Sequence, residues 1–245
     1  MKKFILASTL LTSLSMQAVA MENLVNAGKD ILTGWKGDIE AGATFSNGND
    51  EEKEYNLDLK VQKEGDAQKW GYKFEAYAEG EEKKGVTTDE EYRALIQARY
   101  NVSETGYVFG EFAYLNNRFE GYKSRTTETV GYGHKFYNNE EFKLSGEVSL
   151  GMRQTEFTDE TDENSFITKL SADAMYKINP QLSLVQELEI GLSESTTLLS
   201  ETALKYDFTS NFYGKLAYEL ESNSDVPAGT KETDTTIGFK IGYSF

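Results

Sequence analysis

A chain of 245 residues carries 41 acidic against 25 basic side chains, two prolines and no cysteine. The net charge of −16 argues against a nucleic-acid partner, whose phosphates demand cationic surface. The lack of Cys excludes disulfide staples and thiolate chemistry.

Lys2 and Lys3 precede the mostly apolar residues 4–14, and Ala18-Val19-Ala20 supplies a small-residue cleavage site, which predicts a secretory signal over 1–20. The apolar stretch falls short of the roughly 20 residues that a spanning helix needs. Without the two leader lysines the chain keeps 23 basic and 41 acidic side chains (25 − 2 = 23; 23 − 41 = −18). Residues 21–33, with Leu24, Val25, Ile31 and Leu32, are expected to form a short amphipathic periplasmic segment.

From 34 to 245 the chain reads as one domain built on a single theme: ten to fourteen alternating residues, then a polar break. Twelve such segments follow, at 35–46, 53–64, 69–80, 89–101, 106–116, 124–137, 143–154, 165–178, 182–193, 197–208, 212–222 and 231–245. Ile39, Ala41 and Ala43 share one face of the first; Tyr55, Leu57, Leu59 and Val61 share one face of the second. In the fifth, Val108, Phe112 and Tyr114 compete with Tyr107 and Phe109, so its facing stays open. Period-two alternation means a strand with one face in an apolar medium and one in a polar medium. Strands of about 9–11 residues cross a bilayer when tilted, and bacterial single-chain barrels use an even number.

The breaks sort by position. Those after even segments are tight: Gly65-Asp66, Ser103-Glu104, Asn138-Asn139, Asn179-Pro180 and Thr209-Ser210. Those after odd segments include Gly48-Asn49-Asp50 and longer stretches at 81–88, 156–163 and 223–230. Short periplasmic turns and longer external loops are the pattern of outer-membrane barrels, and twelve strands put both termini on the periplasmic side. Pro180 and Pro227 both fall in breaks, where no ladder hydrogen bond is lost. The soluble alternative is an up-and-down barrel with its apolar face inside and its charges in water; alternation by itself does not separate the two.

If the apolar face meets lipid, the other face lines a lumen. Its basic candidates are Lys36, Lys60, Lys73, Arg93, Arg99, Arg125, Arg153, Lys169, Lys205, Lys215 and Lys240. The acidic candidates are Asp38, Glu40, Asp58, Glu75, Glu79, Glu91, Glu111, Glu147, Asp173, Glu187, Glu189, Glu201, Asp207, Glu219 and Asp234. Arg93, Arg99, Glu111, Arg125, Glu147, Arg153, Glu187 and Glu189 are taken as selectivity elements. Opposed charges either pair across strands and fill the barrel, or leave a wet channel whose acidic excess favours cations.

No enzyme is expected. His134 is the sole histidine and falls on an outward position, where an interfacial ring is a commoner role than a general base. No phosphate-binding Gly loop, cofactor motif or His/Cys metal cluster is present, and 159–163 lacks the spacing of an EF-hand loop and reads as a solvated external loop.

The last strand alternates Ile237, Phe239, Ile241, Tyr243 and Phe245 and stops on an aromatic residue. That ending resembles the signal by which Gram-negative outer-membrane barrels are recognised for assembly, with Phe239, Ile241, Tyr243 and Phe245 as its elements. Trp35-Lys36-Gly37-Asp38-Ile39-Glu40-Ala41-Gly42 followed by Ser46-Asn47-Gly48-Asn49 resembles the opening of the salt-induced outer-membrane protein family. So do Asn117-Arg118-Phe119-Glu120-Gly121-Tyr122, Val130-Gly131-Tyr132-Gly133 and the approach Lys231-Glu232-Thr233-Asp234-Thr235-Thr236. The resemblance implies an all-β, twelve-stranded transmembrane antiparallel barrel in the outer membrane of a Gram-negative bacterium, loosely connected with salt response and without catalytic residues to carry over. The expected partners are outer-membrane lipid and lipopolysaccharide and, through the C-terminal strand, the barrel-assembly machinery; the expected state is a monomer. The leading function is a narrow passive pore for ions or small polar solutes, and the alternative is a closed structural or envelope-stress barrel. Gly48 is expected in a turn, Gly131 and Gly133 to relieve crowding, and Arg118 and Tyr122 to latch the third external loop onto lumen charges.

Overall fold

The computed structural model describes residues 34–46, 52–64, 69–119, 121–224 and 231–245. The expected signal, the segment 21–33 and Gly48 therefore lie outside the described residues. Alternating β-branched and aromatic residues favour extended backbone, and a strand in lipid must pair along both edges. The twelve segments meet both demands as β1 (Lys36–Ser46), β2 (Glu52–Lys63), β3 (Trp70–Lys83), β4 (Val86–Asn101), β5 (Gly106–Asn117) and β6 (Tyr122–Asn138), followed by β7 (Phe142–Phe157), β8 (Asp162–Lys177), β9 (Leu182–Leu192), β10 (Thr196–Asp207), β11 (Phe212–Asn223) and β12 (Thr233–Ser244). Each strand pairs antiparallel with its sequence neighbours, and β12 returns to β1 to close the barrel. At the closure Gly37 N–H donates to the Phe245 carbonyl at 3.1 Å and Phe245 N–H returns a bond to Gly37 at 2.9 Å.

Four described turns at the end of the barrel that holds the chain's C-terminus share one device. The side-chain oxygens of Ser103, Asn139, Asn179 and Thr209 accept the backbone N–H three residues on, at Gly106 (2.8 Å), Phe142 (2.7 Å), Leu182 (2.9 Å) and Phe212 (2.9 Å). Short polar side chains that mimic a backbone turn account for why Ser, Asn and Thr stand there.

At the other end two breaks differ from expectation. The loop expected at 81–88 is a strand extension, and β3 and β4 meet across only Lys84 and Gly85. Their φ values of 52° and 80° give the left-handed pair that a two-residue hairpin requires. Likewise β7 and β8 run on to Phe157 and Asp162, leaving a turn at 158–161. Polar composition does not end a strand once it leaves lipid, because charged neighbours pair across it: Lys53 meets Glu82 at 3.2 Å, and the Thr88 hydroxyl donates to Glu81 at 3.1 Å.

The apolar sets point outward. Val130 is 70% exposed and Ile237 69%, and Leu57, Ile96, Leu150, Phe166 and Leu216 join them around the circumference. A soluble barrel would hide these residues inside, so the lipid-facing alternative is the one realised. Aromatic pairs ring the turn end: Trp70 with Tyr100 (centroids 5.2 Å apart), Phe212 with Tyr243 (4.9 Å) and His134 with Phe136 (4.9 Å). Amphipathic rings at such an edge mark a membrane surface.

The open facing of β5 resolves with Tyr107 and Phe109 pointing inward, at 3% and 6% exposure. They lie opposite Gly133 and Gly131 of β6. A Cβ at Gly131 would stand 2.6 Å from Phe109 Cζ, and one at Gly133 would fall inside the Tyr107 ring. These glycines therefore make room for two specific rings, which is more particular than general relief of crowding.

Candidate functional site in the barrel lumen

The inward charges organise into two wall networks and one pair that crosses the lumen. On the β10–β12 wall, Lys205, Lys215 and Lys240 are direct cross-strand neighbours and form a cationic row. Parallel to it, Asp173, Glu187, Glu201 and Glu219 form an acidic row over β8–β11. Like charges directly opposite repel, so each row needs the other. Between them sit Ala203 and Ala217, 1% and 0% exposed, which are small enough to let long side chains lie across. Lys215 Nζ reaches Glu201 at 2.9 Å and also pairs with Glu40 of β1; Lys240 Nζ reaches Glu219 (2.9 Å), Asp58 (3.3 Å) and Glu201 (3.5 Å). The Tyr213 hydroxyl donates to Glu40 at 2.7 Å, and Lys205 lies 3.7 Å from the Tyr213 ring centroid.

The opposite wall centres on Gln97, which is fully buried. Its Nε2 donates to Glu111 (3.0 Å) and Glu147 (3.1 Å). Glu147 also accepts the Tyr107 hydroxyl at 2.6 Å and faces Arg99 at 3.6 Å. Lys169 joins Glu111 at 2.5 Å to Glu189 at 3.1 Å.

Lys60 of β2 and Glu187 of β9, at the end of the acidic row, meet across the lumen at 2.5 Å. These strands are five places apart around a ring of twelve, so the pair crosses the lumen close to a diameter. Both side chains keep about two-fifths of their accessible surface (41% and 39%), against 7% and 4% for Lys215 and Lys240. The lysines Lys215 and Lys240 of the first wall are dry, whereas both partners of the crossing pair, like Glu189 of the second wall (41%), reach solvent. The lumen is thus neither an unobstructed channel nor a packed core: a solvated ion pair spans it.

The expected selectivity elements divide accordingly. Arg99, Glu111, Glu147 and Glu189 belong to the second wall, and Glu187 belongs to the transverse pair. Arg93, Arg125 and Arg153 lie toward the loop end and, among the described residues, are not bonded into either network. Arg93 bonds Glu91 and covers the Tyr77 ring at 5.2 Å. Arg125 stacks 4.1 Å from the Tyr122 ring centroid and donates to the Thr155 hydroxyl at 3.3 Å. Arg153 buries an Nε with no hydrogen-bond partner among the described residues. The latch is realised in half: Tyr122, 4% exposed, tucks under Arg125, whereas Arg118 grips Glu90 of the neighbouring hairpin at 2.5 Å rather than a lumen charge.

The charged rows had a legible signature. Glu201-Thr202-Ala203-Leu204-Lys205 and Lys215-Leu216-Ala217-Tyr218-Glu219 mirror each other except at Thr202 and Tyr218, and an antiparallel hairpin superimposes them as like-charge rows. His134 stands on the outer face with its Nδ1 3.3 Å from the Tyr132 hydroxyl, within the aromatic girdle. Phe239, Ile241 and Tyr243 lie on the outer face of β12, and the Phe245 ring packs over Gly37. Among the described residues, no group of three or more His, Asp or Glu side chains is placed to hold a metal ion.

Residues 39–245 match the family described as "Protein of unknown function, DUF481". The chain belongs to that family. The "Uncharacterized protein YdiY" of Escherichia coli (strain K12) is 27% identical over 211 residues, spanning 86% of this chain and 83% of that protein. Among solved structures, the NanC porin aligns with a TM-score of 0.54 at 12% identity, over 85% of this chain and 98% of that one. The translocator domain of the autotransporter NalP from Neisseria meningitidis aligns at 0.50 and 11% identity, over 96% and 97%. At such identities the shared property is the fold, that of outer-membrane β-barrels. One title names a porin and the other a translocator, so the fold by itself does not choose an activity.

Proposed function

We propose that the protein is a narrow passive pore of the Gram-negative outer membrane, passing ions or small polar solutes, with conductance set by the Lys60–Glu187 pair. The observation that carries this reading is the solvated transverse pair: it constricts a water-accessible lumen without filling it. The fifteen acids and eleven bases that alternation assigns to the inner face support a mild preference for cations. His134 sits among interfacial rings, which supports a non-enzymatic role.

The same pair supports a tie to salt or osmotic stress. Mobile ions screen exposed charges, with a Debye length of about 10 Å at 0.1 M and about 3 Å at 1 M. Rising salt therefore loosens the constriction. Phe239, Ile241, Tyr243 and Phe245 serve as the recognition strand for the assembly machinery, and the outer belt faces outer-membrane lipid and lipopolysaccharide around a monomer.

A planar-bilayer recording under a salt gradient tests the pore. Steady channels with a cation-selective reversal potential are expected. Silence from protein shown to be folded refutes it and favours the second reading, a closed structural barrel, which the dry lysines of the first wall also suit.

A further inference from the structure

Toward the loop end, the inner face of β6 and β7 holds two arginines that the charge networks leave out. Arg125 faces Thr155 and Arg153 faces Thr127, so the two are diagonal neighbours on one face, within reach of each other's long side chains. Of the charges around Arg153, that of Arg125 acts on it most strongly, ahead of Glu189 and Glu163. In a chain of net charge −16, neither guanidinium bonds a carboxylate among the described residues. Glu189 is held by Lys169 at 3.1 Å, and Glu163 stands exposed at the rim. Two like charges kept side by side without an acid leave room for one anion between them.

Their hydrogen bonds are also unmet. Arg125 donates its Nε to the Thr155 hydroxyl and lays its face on the Tyr122 ring, which leaves its terminal nitrogens without a bond among the described residues. Arg153 Nε and the hydroxyl of Thr129, a side chain only 4% exposed, are both buried with no hydrogen-bond partner among the described residues. Thr129 faces Gly151, which makes it the diagonal neighbour of Arg153 on the turn side. Buried donors left unmet are costly, and two at one spot call for a ligand. Arg125, Thr127 and Arg153 each keep part of their surface open to the lumen.

The neighbouring wall is apolar. Leu115 lies directly opposite Arg125, Ala113 opposite Thr127, and Leu95 opposite Ala113, all on the inner face. Lipid does not account for apolar side chains on that face, whereas a ligand with a carbon body does.

We propose that Arg125 and Arg153 hold the carboxylate of a small organic acid on the lumen wall, with Leu95, Ala113 and Leu115 receiving its carbon body. The carboxylate takes the terminal nitrogens of Arg125 and the fork of Arg153, whose Nε swings off the wall to meet it. The site is local and leaves the acidic excess of the remaining lumen in place. The inference deepens the pore reading by naming a class of solute, and it rests on that reading only for a water-accessible lumen.

Fluorine NMR of 4-fluorobenzoate titrated into the refolded protein in lipid nanodiscs tests it. Saturable binding is expected, weakened about tenfold or more by Arg125→Gln or Arg153→Gln, and about threefold or more by Leu115→Ser. Arg153→Lys keeps the charge without the fork and should fall between wild type and Arg153→Gln. Glu163→Gln should tighten binding, whereas Arg118→Gln, which removes only the contact with Glu90, should leave it unchanged. No saturable binding by protein shown to be folded overturns the subsite, as does equal weakening by Arg118→Gln. Equal competition by inorganic phosphate overturns the carbon body, and equal binding of 4-fluorobenzylammonium overturns the charge. The wild type gives a check free of variants: benzoate should protect Arg125 and Arg153 from phenylglyoxal while Arg118, 62% exposed, reacts as before. Uniform protection refutes the site. Binding by a protein that conducts nothing sinks the pore and keeps the subsite; conduction without binding does the reverse.

Discussion

Neutralising Glu187 should loosen the lumen without unfolding the barrel. In Glu187→Gln the transverse partner of Lys60 keeps its shape and loses its charge. At the observed 2.5 Å the bare attraction in bulk water is about 1.7 kcal/mol. Ordering two long side chains offsets much of that, and exposed ion pairs are worth about 0.2–1 kcal/mol net. The accessible surface left on both partners, about two-fifths each, places this pair in that class rather than among buried ones. With RT near 0.6 kcal/mol, the ratio of bridged to unbridged lumen should fall about 1.4- to 5-fold. Lys60 keeps a neighbour, because Glu75 of β3 is its direct cross-strand partner. Single-channel recording at 0.1 and 1 M KCl reads the effect. The wild type should spend more time in its larger conductance state at high salt, and Glu187→Gln should do so at both concentrations with weaker cation preference. A double-mutant cycle with Lys60→Met should return a coupling of about 0.2–1 kcal/mol in the state ratio. Unchanged dwell times and amplitudes, or a coupling near zero, would refute the transverse pair as the constriction.

The dry wall should answer differently. Lys215→Met leaves buried Glu40 with the Tyr213 hydroxyl and Glu201 with Lys240 alone, so a loss of about 2–3 kcal/mol is expected in denaturant refolding, whereas Lys53→Met, which removes an exposed pair with Glu82, should cost less than about 0.5 kcal/mol. Gly133→Val forces the Tyr107 ring off Glu147 and should destabilise by about 1–3 kcal/mol, with part of the loss recovered by Tyr107→Ala; additive losses would show that the ring is not the obstacle. In the exposed turn at 158–161, the hydroxyl and N–H of Thr161 hold the Asp159 carboxyl below its ordinary 3.8. A depressed carboxyl supports the turn above its unfolded pKa and loses that support as pH falls through its folded value. Carboxyl NMR titration of Thr161→Val should move Asp159 up toward 3.8, and an unmoved titration would remove Thr161 as the cause.

Much of this architecture was legible because a membrane strand advertises itself. Residues such as Leu57, Leu59 and Val61 recur at every second position for one reason only, that one face must be apolar. The turns at Ser103, Asn139, Asn179 and Thr209 were legible because short acceptor side chains favour them locally. The extensions at 81–88 and 156–163 were not, since outside lipid a strand needs no apolar face and its charges read like a loop. Membership of the lumen was visible for Glu187 and Lys60 from parity. Their meeting was not, because 127 residues separate them and parity says nothing of which inward residues share a level.

Strand number, the tight turns and the two side-chain sets are written along the chain, since all of these follow from local spacing and backbone chemistry. Which set faces out, which charges pair and where the seam stops emerge only when the barrel closes. Those depend on the tilt and stagger with which twelve strands close: a ring fixes the height of every inward side chain relative to partners several strands away. No period along one strand encodes that stagger, and the wet Lys60–Glu187 crossing and the end of the β1–β12 pairing at Gly42 and Lys240 are both set by it.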